Sequence, residues 1–146
     1  MRKRHISDPD ECQVLWNRLI TPKNISDLWE FRLCFHRHIN NMPYFLLLED
    51  RAGIAAMLPL SFAEEVNMFV FFPGEIWNGK TWIERTPIYL RRQQLLEEIL
   101  SFCPDRTFLR YMEPGEGDLP QDFERGFDEH VDDILTIVPL DHPGNQ

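Results

Sequence analysis

The spacing of apolar residues changes at Pro43, from the period of a helix to that of a strand, and no other feature restricts the fold so tightly. Upstream, SDPDECQVLWNRLI opens with helix-start chemistry. Asp8 caps, Pro9 suits the first helical position, and Glu11 completes a D-x-x-E box. Val14, Leu15, Arg18 and Leu19 recur at helical spacing, Trp16 and Ile20 widen the apolar side, and Pro22 stops the helix. NISDLWEFRLCFHRHINNMP predicts a second helix capped by Ser26. Leu28, Phe31, Phe35 and Ile39 form one face, Trp29, Leu33 and His36 lie beside it, and Asn40, Asn41 and Pro43 close it.

Downstream, PYFLLLED, a turn at Arg51-Ala52-Gly53, and IAAMLPLSF read as a two-stranded hairpin. NMFVFFPG is a third strand, apolar enough to need cover on both faces. After EIWNGKTWIERTPIY, where Asn78-Gly79 signals a turn, LRRQQLLEEILSF predicts a helix with Leu90, Leu95, Ile99 and either Phe102 or Leu96 facing inward. RTFLRYME then reads as a strand, DLPQDFERGF as a short helix, and DDILTIVPL as a last strand. The order α-α-β-β-β-α-β-α-β implies an α/β (α+β) fold, a mixed, mainly antiparallel sheet with helices on both faces. Residues 1–146 are expected to form one domain, with 1–8 a basic tail and 141–146 a C-terminal tail or linker.

Charge and cysteine usage exclude several functions. A net charge of −9 repels phosphate backbones, which argues against sequence-independent nucleic-acid binding. The acid crowds into residues 113–133, but without the D-x-D-x-D-G spacing that wraps calcium, so it reads as a solvated face. Cys12, Cys34 and Cys103 form no C-x-x-C pair, and each is expected in the core as a free thiol. His36 and His38 point apart on a helix, while Cys34 and His38 share a face without a third ligand, so no metal site is expected. There is no G-x-S-x-G elbow and no flanked catalytic cysteine, hence no catalytic residue is assigned. No apolar run reaches membrane-spanning length, and the basic N-terminus lacks the apolar core of a secretion signal, so a cytoplasmic protein is the default.

One surface candidate remains. In GEIWNGKTWIER, Trp77 and Trp82 flank the turn and suit stacking on a ligand, or packing against the sheet or a partner. Lys80 suits an anion or carboxylate, and Glu75 and Arg85 stand close by in sequence.

The element order resembles the Gcn5-related N-acetyltransferase (GNAT) fold, and more narrowly the N-terminal half of the two-lobed FemAB-like transferases. LWNRLI followed by SDLWEFRLCFHRH is similar to their opening tryptophan-bearing helices. PYFLLLEDRAGIAAMLPLSF resembles their hairpin, including Pro59-Leu60, and FFPGEIWNGKTWIE the strand and loop that follow. The similarity spans residues 11–113. It implies an acetyl-CoA site in a V-shaped opening between two central strands, with the pyrophosphate on amides of a Q/R-x-x-G-x-G/A loop at a helix start.

ERTPIYLRRQQ, residues 84–94, stands where that loop belongs. Arg85 is present, but no glycine follows, Pro87 has no N–H, and Ile88 and Tyr89 are bulky. Arg91 and Arg92 offer charge without a backbone nest. Glu49, Glu64 and Glu65 border the strands where such enzymes place a general base. The resemblance therefore implies a non-catalytic lobe, holding no cofactor, that supports or pairs with a second GNAT lobe or a homo-oligomer partner. The alternatives are a complete small acetyl-CoA-dependent N-acetyltransferase with an atypical phosphate loop, and a free-standing protein-interaction module.

Overall fold

The long hairpin organises the molecule. In the computed structural model, which describes residues 1–39, 42–73, 86–109, 112–113 and 123–126, it comprises β2 (Met42–Asp50) and β3 (Gly53–Ala63). β1 (Arg2–Ile6) precedes them, with α1 (Pro9–Leu19), a 3-10 turn (Ile25–Asp27) and α2 (Trp29–Ile39) between. After a 3-10 turn at Glu64–Val66 come β4 (Met68–Phe71), β5 (Thr86–Pro87), β6 (Tyr89–Leu90), α3 (Leu95–Ser101), β7 (Thr107–Leu109), β8 (Met112–Glu113) and β9 (Phe123–Arg125).

The main sheet runs β1-β2-β3-β4-β7-β9, with β6 also on β3, while β5 and β8 form a separate parallel pair. Every pairing in the main sheet is antiparallel except β4 with β7, which the helix α3 precedes in the chain. The fold is thus mixed α+β with a mainly antiparallel seven-stranded sheet.

Strand alternation divides the core in two. Leu46, Leu48, Ala56, Leu58 and Leu60 face α3, whose Leu95, Leu96, Ile99 and Leu100 pack on them. Phe45, Leu47 and Met57 face the other way, onto Trp16 of α1 and Trp29 of α2. All eight of these β2 and β3 residues are fully buried. At about 1.5–3 kcal/mol for each large apolar side chain removed from water, a one-residue slip of the hairpin is prohibitive, which fixes its register. Helices therefore cover both faces of the sheet, as the continuous apolar runs demand.

Local chemistry sets the ends of elements. The Asp8 carboxylate accepts from the Glu11 amide at 3.0 Å, with Pro9 opening α1. At the hairpin turn Asp50 accepts from the Ala52 amide at 2.8 Å, and Gly53 takes φ +116°, which only glycine adopts readily.

Several expectations are corrected. Residues 2–6 of the supposed basic tail are an edge strand, in register from Arg2 opposite Glu49 to Ile6 opposite Phe45. Backbone pairing, not an apolar pattern, holds them. The segment DLPQDFERGF holds strand β9 at its described positions, where Phe123–Arg125 pair with β7. The helix expected from Leu90 begins only at Leu95, because Tyr89 and Leu90 are laid on β3. Among the described residues the order is β-α-α-β-β-β-β-β-α-β-β-β, not the simpler one expected. Asn24, not Ser26, caps the turn before α2, and Leu28 is exposed because Trp29 and Arg32 take the inward positions. Val14 is exposed opposite the buried stripe of Cys12, Leu15 and Trp16. Cys12 and Cys103 are buried, but Cys34 is exposed. The last strand DDILTIVPL, the tail 141–146 and the Asn78-Gly79 turn lie outside the described residues.

Candidate functional site

The site begins at a proline in a central strand. Pro59 lies opposite Phe45 of β2 and, on its other side, beside the end of β4. The Phe72 amide donates to the Pro59 carbonyl at 3.0 Å, the first half of a regular antiparallel exchange. Pro59 has no N–H with which to return the second half. The Phe72 carbonyl instead accepts from Arg32 Nη1 at 2.9 Å. A side chain from α2 thus stands in for the missing backbone donor.

Arg32 is fully buried, as is the Asp27 carboxylate that faces its Nη2 at 3.7 Å. Its Nε donates to the Ser26 carbonyl, and its guanidinium lies 5.3 Å from the Trp16 ring centroid. Asp27 also accepts from the Lys23 amide at 2.9 Å, and its backbone carbonyl accepts from Trp16 Nε1 at 2.8 Å. Trp29 stacks on Phe72 at 5.1 Å with planes 9° apart. Burial of two charges is tolerable here because each is paired and further hydrogen-bonded. Buried among the described residues, this cluster fastens the end of β4.

Residues 74–85 lie outside the described residues. Beyond them Tyr89 and Leu90 pair with Met57 and Ala56, so on β3 only Leu58 lies between this pairing and the Pro59–Phe72 contact. This limb is the segment proposed for a pyrophosphate. Pro87 has no amide hydrogen, Ile88 is buried, and the Arg91 amide donates to the Ala55 carbonyl at 2.8 Å. Arg91 Nη1 reaches Asp50 at 2.5 Å and its Nη2 the Ile54 carbonyl at 3.1 Å. The hydrogen bonds from Arg91 and the Ala52 amide hold the Asp50 carboxyl below its usual range. Leu95 and Leu96 amides close onto the Arg92 and Gln93 carbonyls. These residues do not fit a diphosphate cradle, since the limb is woven into the sheet.

The carboxylates considered as general bases are also engaged or remote. Burial pulls the Glu49 carboxyl up, but hydrogen bonds and charge from Arg4 and Arg2 outweigh it and leave it below its ordinary value. A base held that low is poorly matched to deprotonating an amine. Glu64 and Glu65 sit exposed in a 3-10 turn. Among the described residues no three histidine, cysteine or acidic side chains converge on a metal position. No helix among them is long and apolar enough to cross a membrane.

The surface candidates Glu75, Trp77, Lys80, Trp82 and Arg85 all lie outside the described residues. Arg32 and Asp27 were not singled out by the sequence. The available signal was Pro59 in a strand otherwise reading as central, which requires some other donor nearby. Comparison of the chain with protein-family models, curated proteins and solved structures finds no match.

Proposed function

We propose that the chain is a non-catalytic GNAT-like lobe that supports or pairs with an acetyltransferase lobe in the cytoplasm. One observation carries this reading: Tyr89, Leu90 and Arg91, in the segment where the enzymes this chain resembles seat a pyrophosphate, are committed to β3. Two others agree with it. β4 lies parallel to β7, the strand after α3, which suits an acyltransferase-like core, although β5 and β6 stand between β4 and α3. Three free cysteines suit a reducing compartment.

The test is calorimetric titration of the full chain with acetyl-CoA and CoA, alongside sedimentation of the chain alone. A flat trace is expected, because Pro87 has no N–H and the Arg91 amide is already given to the Ala55 carbonyl. Saturable micromolar heat would replace this reading with that of a complete small N-acetyltransferase. A flat trace from a chain that stays monomeric and binds no second lobe would leave only a free-standing module.

A further inference from the structure

The strand β1 has a character unlike the rest of the molecule. In a chain of net charge −9, its sequence RKRHI carries Arg2, Lys3, Arg4 and His5 in succession, all exposed. β1 is an edge, because among the described residues β2 alone pairs with it. Every second amide and carbonyl of an antiparallel edge strand points away from its neighbour, a template for one more strand.

The side chains of β1 are drawn to the two faces of the sheet rather than across this edge. Arg2 and Arg4 reach Glu49 on one face. On the other, Lys3 lies over the Phe102 ring at 5.8 Å and His5 stacks on Tyr44 at 4.3 Å. Among the described residues no strand but β2 pairs with this backbone edge, which runs between two cationic rows. Among them Glu49 is the carboxylate paired with the strand, through Arg2 and Arg4, so the strand keeps excess positive charge.

We infer that β1 is a docking edge for an extended acidic peptide segment of a partner protein, which adds as a further strand with its carboxylates opposite Arg2, Lys3 and Arg4. Charge selects this occupant. A second copy of β1 would set like charges directly opposite one another, which is unfavourable. Nucleic acid and anionic membranes meet the long-range repulsion of the whole chain, whereas a single acidic strand interacts within a Debye length of about 8–10 Å. Lysine and arginine on an edge also discourage aggregation, and that role demands no affinity for anything.

The two roles separate by fluorescence anisotropy of a labelled octapeptide with three successive glutamates flanked by valines, which presents carboxylates on both faces of a strand, titrated with the full chain. Saturable binding is expected, weakened by added salt and by about tenfold or more in Arg2→Glu/Arg4→Glu, with no binding of the lysine–valine counterpart. Because that double variant also sets acids beside Glu49, Lys3→Glu provides a second readout; the Lys3 ammonium holds no carboxylate among the described residues. Any of three results would overturn the inference. They are no saturable binding, equal binding of an acidic octapeptide with proline in place of valine, and variant-sensitive capture of anionic vesicles or RNA in preference to the peptide.

Discussion

At the scale of single residues, Arg32 and Pro59 form one device. Arg32→Met leaves Asp27 buried without its cation and takes the Nη1 donor from the Phe72 carbonyl, a loss of about 3–5 kcal/mol in unfolding free energy. Pro59→Ala restores an N–H aimed at the same carbonyl. In a double-mutant cycle followed by urea unfolding, Pro59→Ala should therefore lessen the Arg32→Met penalty by about 1 kcal/mol. Strict additivity would show that Arg32 does not replace the missing donor. The thiols give a second residue-scale prediction. Burial pushes Cys12 up to about 12, with Asp8 and Glu11 adding to the shift, and burial pushes Cys103 up to about 12 as well. Both stay protonated in the fold at a pH where the unfolded chain ionises. Their contribution is complete below about pH 9 and is lost as pH rises toward 12, so stability should fall across that window. At pH 8 an alkylating reagent should label the exposed Cys34 in native protein and reach the other two only after unfolding, as mass spectrometry will read.

At the scale of elements, what could be read in advance follows from which interaction holds each piece. The cap of α1 and the hairpin β2–β3 are local or strongly patterned, and both form as expected. Asp8→Ala should cost about 1 kcal/mol, seen as a lower urea midpoint with an unchanged slope. A silent substitution would mean that Pro9 alone sets the helix start. β1 was illegible because its first four residues are polar and its stability comes from the backbone of β2, which no residue of RKRHI advertises. β6 straddles the start of the helical pattern, which takes in Leu90 but not Tyr89, and it shows as a strand only where β3 offers an edge. On α2 the apolar count favoured Leu28, yet a buried guanidinium took the inward position, because a donor was needed forty residues away at Phe72. The absence of a glycine nest in residues 84–94 was plain from residue types alone, whereas the use made of those residues required the sheet.

At the scale of the whole molecule, the sheet carries helices on both faces, and β2, β3 and β6 each give residues to both cores. The cofactor question belongs here, because a diphosphate site needs the limb, the sheet edge and the helix start to be open together. Replacing Pro87 and Tyr89 with glycine should therefore give no CoA affinity by calorimetry, for Leu90 and Arg91 still lie on β3. Tight binding by that variant would show that side chains alone closed the site, and the supporting-lobe reading would lose its basis. The interrupted edge of β3 has a practical corollary. Phe72 and Tyr89 meet β3 two residues apart, at Pro59 and Met57, so an insert between Pro73 and Thr86 leaves both described anchor points in place. Each doubling of its length adds only about 0.6 kcal/mol of closure entropy. That junction is a natural graft point, where a foreign recognition sequence can be displayed while the wiring of the scaffold is conserved.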